Sequence, residues 1–186
     1  MENNSADQMI TSKFIDPAGV ISQLGISTGN IIADFGCGSG YFSIPLAQAI
    51  GEDGIIYSLD VLPQALETVA SKAKALNLTN VKTKRVNLER EKGSGLEDES
   101  MSWVIIKDML FQNGNKKIIL KEAYRVLKPG GKAFIMEWND KDSAVGPDQK
   151  LRVPKEELEG IIKENNFQIE REIEAGDFHY AMVIVK

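Results

Sequence analysis

Residues 31–40, Ile-Ile-Ala-Asp-Phe-Gly-Cys-Gly-Ser-Gly, constrain this chain more than any other stretch, because a short apolar run carrying one acid empties into three glycines at alternate positions. Ile31, Ile32 and Ala33 read as a buried strand. Gly36, Gly38 and Gly40 let the chain turn sharply and let a ligand approach the main chain without meeting a Cβ. Ser39 is expected to open a helix whose apolar positions include Phe42, Ile44, Leu46 and Ala49. Strand, glycine turn and helix together start a βαβ nucleotide-binding unit. A dinucleotide fingerprint spaces its glycines G-x-G-x-x-G, with the last one inside the helix. Here the spacing is G-x-G-x-G, which suits close passage of an uncharged or zwitterionic ligand.

A second apolar run at 55–60 ends in Asp60, about twenty residues beyond the glycine loop, where a carboxylate can accept hydrogen bonds from both hydroxyls of a ribose. The plainer reading of Asp60 is a helix N-cap, but Leu62 stands closer to the cap position of the helix that Pro63 opens. Strands are further expected at 81–86, 103–107 and 131–137, with helices near 39–50, 63–77 and 114–127. This alternation requires right-handed crossovers and gives a parallel sheet with helices on both faces. The pattern then changes: a polar loop at 139–152 leads to a helix from about Pro154 and to two strands, 167–174 and 178–185, joined by Ala175-Gly176-Asp177. Three residues cannot make a parallel crossover, so this terminal pair is an antiparallel hairpin. A short amphipathic helix is expected at 16–24, over the ligand site or a sheet edge, after a mobile start at 1–13. The stretch 90–100 reads as a surface loop.

With 186 residues, 42% of them hydrophobic, the chain suffices for one sizeable core and is too short for two ordinary domains. No apolar run has membrane-spanning length, and the polar opening Met-Glu-Asn-Asn lacks the features of a signal peptide, so a cytoplasmic protein without a membrane partner is expected. Cys37 is the single cysteine, which excludes an internal disulfide and a cysteine-built metal cage; no metal site is expected. The net charge of −5 gives no broad basic field to draw in nucleic acid, and small-molecule or protein substrates fit better. Both a monomer and a homodimer are compatible with this composition.

The glycine loop resembles motif I of the class I S-adenosylmethionine-dependent methyltransferases. The run Glu-Ala-Tyr-Arg-Val-Leu-Lys-Pro-Gly-Gly at 122–131, where a helix ends, Pro129-Gly130-Gly131 reverses the chain and a strand begins, is similar to the ubiquinone and menaquinone biosynthesis enzymes, and the carboxyl-terminal half looks like the arsenite methyltransferase group. The resemblance implies a Rossmann-like α/β/α sandwich with seven strands in the order 3-2-1-4-5-7-6, and S-adenosylmethionine as cofactor. It implies that Gly36, Gly38 and Gly40, with Cys37 tucked beneath them, line the methionine part and ribose edge, that Asp34 helps hold the methionyl ammonium, and that Asp60, with Val61 beside it, takes the ribose hydroxyls. Asn87 would accept from the adenine amino group, where the family often has Asp, or be an ordinary turn residue; Leu88 would cover the ring and Lys107 would pass the methionine portion. The cofactor carries the reactivity, so no fixed triad is expected.

Candidate bases are Asp108 and Glu137 at strand carboxyl ends and His179, the only histidine. Each has a structural alternative: a cap for the two acids, sheet-edge packing for the imidazole. Trp103 and Trp138 read as core or pocket wall. No Asn-Pro-Pro-Tyr motif follows the fourth strand, which counts against nucleobase or amide methylation, and the lone cysteine counts against arsenite. A small-molecule methyltransferase is the favoured reading, ahead of a protein that binds the same ligand without turnover; a nicotinamide-dependent oxidoreductase disagrees with the glycine spacing and the terminal hairpin.

Overall fold

The computed structural model describes residues 15–141, 143 and 145–186; the expectation of a mobile start at 1–13 lies outside them. Helix α1 (Pro17–Leu24) is bounded by signals visible in the sequence. Asp16 accepts from the Ala18 and Gly19 amides, Pro17 occupies the first turn, and Gly25 ends the helix at φ 76°. There follow β1 (Ile31–Phe35), α2 (Ser43–Ile50), β2 (Ile55–Asp60), α3 (Pro63–Ala75), β3 (Val81–Arg85), β4 (Met101–Lys107), α4 (Lys116–Val126), β5 (Leu127–Trp138), α5 (Lys155–Glu164), β6 (Gln168–Ile173) and β7 (His179–Val185). One seven-stranded sheet runs β3-β2-β1-β4-β5-β7-β6. Its first five strands are parallel, and β7 enters antiparallel between β5 and β6.

Alternation along the strands divides the core in two. Ala33, Phe35, Val104, Ile106, Ala133, Ile135, Met182 and Ile184 face α4 and α5. On the other face, Ile32, Ile56, Trp103, Ile105, Phe134, Met136 and Val183 meet Val20, Ile21 and Leu24 of α1 and Phe42, Leu46 and Ile50 at α2. Trp103 is therefore core, and α1 is a packed wall of the sandwich rather than a cover over the ligand edge.

Two expectations need correction and a third, the surface loop at 90–100, is met with one addition. Helix α2 begins at Ser43, not Ser39, because Gly38 and Gly40 sit at φ 51° and 80°, outside helical backbone; Phe42, Ile44 and Leu46 are buried as expected, joined by Ala47 and Ile50, while Ala49 is exposed. Pro129 does not stop the preceding helix, which ends at Val126, and β5 starts at Leu127. Met101 pairs with Leu127 and Trp103 with Lys132, so residues 128–131 bulge away from β4 opposite Ser102, while Gly130 and Gly131 keep backbone hydrogen bonds to Lys186. Gly130 turns there at φ 73°, and a Cβ on Gly131 would lie 2.8 Å from the Lys128 carbonyl oxygen. Finally, the 90–100 loop is anchored rather than simply superficial: buried Ser94 donates through its amide (3.0 Å) and its hydroxyl (2.5 Å) to Glu122, which Arg125 also pairs.

Candidate active site

The strand order reverses between β1 and β4, and loops leaving adjacent strands diverge at such a point, opening a crevice at their carboxyl ends. A cavity of about 560 Å³ lies there, lined by the glycine loop, the ends of β2 and β4, and the segments that follow β3 and β4. Asp34, Gly36, Cys37, Gly38, Asp60, Val61, Asn87, Leu88 and Lys107 all line it. Gly40 does not: it is buried under the loop, where a Cβ would come within 3.0 Å of Val69 Cγ2 and 3.4 Å of Ile44 Cγ1. Its part is to let α3 pack close to the start of α2.

Asp60 ties the end of β2 to two neighbouring segments. Its Oδ1 accepts from the Leu62 amide and its Oδ2 from the Gly38 amide, each at 2.9 Å, so the carboxylate fixes the turn into α3 and braces the glycine loop. Each oxygen keeps a lone pair for a further donor. Asp34 is 2% exposed, and Ser43 Oγ donates to its Oδ2 at 2.6 Å while Ser58 Oγ donates to Ser43 at 2.8 Å. Burial pushes the Asp34 carboxyl up to about 6, against the pull of Ser43 and of the Lys107 ammonium. An acid held in this way gains stability when a cation settles beside it. Between the two acids, a Cβ built on Gly38 would meet nothing within 4 Å. Val61, 52% exposed, and Leu62, 58% exposed, form an apolar lip, with Leu88 as buried cover. Asn87 makes the turn of its plainer reading, its Oδ1 accepting from the Glu89 amide at 3.0 Å, and it remains at the cavity wall. The Cys37 thiol is raised well above its usual range by burial and the charges of Asp34 and Asp60, and it packs beside Ile44, Leu66 and Val69, an inert position.

A second cavity, about 270 Å³, adjoins the first and is lined by Ile15, Tyr41, Trp138, Val145, Phe178 and His179 together with Lys107 and Asp108. His179 and Asp108 are brought together, Nε2 to Oδ1 at 3.1 Å, close enough for an ion pair yet not aligned as a hydrogen bond. Burial works to raise the Asp108 carboxyl, but its contact with His179 and the ammonium of Lys107, which pairs with it, outweigh burial and hold it below the usual carboxylate range. Glu137, the third candidate, lies outside both cavities. It is fully buried, its Oε1 accepts from Met109 (3.0 Å) and Leu110 (2.6 Å), and burial pushes it up to about 7. It fixes the segment after β4 and does not face a ligand.

Tyr41, Met109 and Arg152 matter here and were not legible beforehand. Tyr41 lines both cavities at 47% exposure, and Met109 closes the first beneath Gly36, where a Cβ would lie 3.1 Å from its sulfur. Arg152 looks like one charge in a mixed loop. Instead it is 7% exposed and spends its guanidinium on the loop itself, donating to the carbonyls of Pro147, Asn139, Lys141 and Val145 and to Ser143 Oγ at 2.8–3.2 Å. It also lies 5.8 Å from the ring of Trp138, the wall of the second cavity.

A third cavity, about 620 Å³, lies at the opposite edge of the sheet, where Arg125 pairs with Glu122 and Asp98, Lys186 with Glu99 and Lys121 with Glu91. It is slightly larger than the first, but it is lined mostly by these paired charges and includes no residue of the glycine loop.

A seven-stranded sheet with its last strand inserted antiparallel, and a glycine loop between two acids at the switch point, define a methyltransferase-type α/β fold. The chain belongs to the methyltransferase domain family, which matches residues 26–182. Its similarity to the demethylmenaquinone methyltransferase of Geobacillus sp. (strain WCH70) is 32% identity over 117 residues, 63% of this chain and 49% of that protein. The chain thus spans about half the length of the curated relatives it matches. In fold it is similar to an S-adenosylmethionine-dependent methyltransferase from Aquifex aeolicus (TM-score 0.85, 22% identity, 92% of this chain and 90% of that one). It also resembles an arsenic(III) S-adenosylmethionine methyltransferase from Chlamydomonas reinhardtii (TM-score 0.68, 21% identity, 99% and 70%). No helix among the described residues is long and apolar enough to cross a membrane.

Proposed function

We propose that this chain transfers a methyl group from S-adenosylmethionine to a small-molecule acceptor. The observation that carries the reading is the pairing of Asp34 and Asp60 across one glycine loop in the 560 Å³ cavity. A buried acid poised near neutrality suits an ammonium, and a braced carboxylate with free lone pairs suits a diol. Asp34 would hold the methionyl ammonium, Asp60 the ribose hydroxyls, Asn87 the adenine amino group, and Val61 and Leu88 the ring, with Gly36, Gly38 and Lys107 along the methionine portion. When bound, the cofactor supplies a methyl group on a positively charged sulfur. The protein's contribution is then to hold donor and acceptor in line and exclude water, a matter of proximity and orientation.

The acceptor enters through the second cavity, whose aromatic walls favour a small apolar or ring-bearing molecule. Ring acceptors of the demethylmenaquinone type belong in the first panel, because relatives carry that name. The acidic chain without a broad basic field fits work in the cytoplasm on a small molecule rather than on nucleic acid. Calorimetric titration tests the cofactor: S-adenosylmethionine and S-adenosylhomocysteine bind and NAD does not, whereas NAD binding alone would reverse the reading. Incubation with methyl-labelled cofactor and a metabolite extract tests turnover; label that stays on the cofactor across broad pools makes the chain a binder without turnover.

A further inference from the structure

We infer that the acceptor carries a dissociable proton on the atom to be methylated, and that Asp108, seated against His179, is the catalytic residue that accepts it. This rests on the reading of the larger cavity as the methyl donor's seat. Three residues line both cavities: Tyr41, Lys107 and Asp108. They mark where donor and acceptor would meet, and the carboxylate is the group among them that stays ionised and can accept a proton. Asp108 holds φ 48°, a backbone that few residues other than glycine adopt, and its amide donates to the Met136 carbonyl at 2.9 Å. This turn sets the side chain at the boundary of the two spaces, where it remains 18% exposed.

Behind that carboxylate stands the His179 imidazole. Asp108 Oδ1 and His179 Nε2 are both buried, face one another at 3.1 Å, and have no hydrogen-bond partner among the described residues. Buried polar atoms left this way are costly, and a small rotation of the imidazole would let one proton bridge the two and satisfy both. The imidazole is held in place by the Trp138 ring, centroid to centroid 4.2 Å, and Trp138 in turn is wedged by Gly146, where a Cβ would come within 2.6 Å of Cζ3, and by Arg152. His179 is therefore a positioning residue. Around the cavity the charges of Lys107 and Asp108 cancel, and the remaining walls are apolar or aromatic, which admits a neutral acceptor. As its lone pair forms the new bond to the methyl carbon, the carbon–sulfur pair stays on sulfur. The acceptor's X–H bond breaks with its electrons left on X, and the proton passes to the Asp108–His179 pair and then to water. Hydroxyl, thiol and N–H acceptors meet this requirement; thioethers, tertiary amines and halides do not.

The test compares phenol with anisole, probes that differ by the proton, on protein saturated with S-adenosylhomocysteine. Wild type should bind phenol about tenfold more tightly than anisole, the scale of one hydrogen bond to a charged group. Asp108→Asn, which suits the same backbone, should narrow the preference to about threefold or less, both probes being compared on the same variant saturated with S-adenosylhomocysteine. The imidazole NMR signals of His179, the only histidine, should move when phenol binds to wild type and not to Asp108→Asn. His179→Gln should weaken the preference partially, with cofactor affinity kept. Equal binding of both probes, binding of neither, or a preference untouched by Asp108→Asn overturns the inference. Failure of wild type to take S-adenosylhomocysteine overturns instead the reading of the larger cavity.

Discussion

Glu137→Gln should make the protein less sensitive to rising pH. In the folded chain burial raises Glu137 from 4.5 to about 7, whereas in the unfolded chain it titrates as an ordinary glutamate. Between these values the folded state holds the proton more tightly, so stability is greatest below the unfolded value and falls as pH rises through the folded one. At 1.36 kcal/mol per unit the loss is about 3 kcal/mol, an order-of-magnitude figure. Asp34, raised by burial from 3.8 to about 6, adds a loss of the same sign and similar size, again about 3 kcal/mol. Glutamine keeps the carbonyl oxygen that accepts from Met109 and Leu110, and it places an amide where Oε2 has no hydrogen-bond partner among the described residues. Urea unfolding at about pH 5 and pH 8, an interval that spans part of both titrations, should therefore show wild type losing roughly 4 kcal/mol and Glu137→Gln about 1.5 kcal/mol. The variant should equal or exceed wild type at the higher pH. An unchanged slope, or a variant weaker than wild type at pH 8, refutes the reasoning.

Two further substitutions probe the loop and the wall. Asp60→Ala removes both the brace on Gly38 and the proposed ribose acceptor, and should weaken S-adenosylhomocysteine binding by roughly 1–3 kcal/mol in calorimetry; an unchanged dissociation constant removes Asp60 from the site. Arg152→Lys replaces a five-donor fork by three donors that cannot reach the same carbonyls, and should cost about 1–3 kcal/mol of stability and open the 139–152 segment to trypsin, with S-adenosylhomocysteine affinity retained. A protease-resistant loop in that variant would sink the role given to Arg152.

Local signals made most of the fold legible. The strands 31–35 and 55–60 and the start of the helix at Pro63 needed only apolar runs, an acid and a proline, and the observed elements coincide with them. The late start of α2 was hidden because the loop's glycines are followed directly by apolar residues at helical spacing; only the backbone at Gly40, set by its approach to Val69, shows that the helix has not begun. The long β5 was hidden for a related reason, since Lys-Pro-Gly-Gly reads as a turn and is one, but a turn bulging from a strand already paired at Leu127. On the site, the residues expected from short local runs, among them Asp34, Gly36, Gly38, Asp60 and Asn87, do line one cavity. Arg152 was not, because its partners are backbone carbonyls, which no residue type announces.

Topology explains why the acceptor side resists sequence reading. In a parallel sheet the residues at the binding edge stand at the ends of strands, as Asp60 and Asp108 do. A residue at the beginning of a strand reaches that edge only if the strand runs the other way. By entering antiparallel beside β5, β7 pairs its first residue, His179, with Trp138 at the end of β5, and thereby carries the single imidazole to within 3.1 Å of an acid 71 positions earlier in the chain (179 − 108). The terminal hairpin is thus part of the site as well as of the sheet. Interrupting the pairing of β7 with β5 at Trp138 would displace His179 from Asp108 while leaving untouched the glycine loop, two strands from β5 across β4, and Asp60, one strand further.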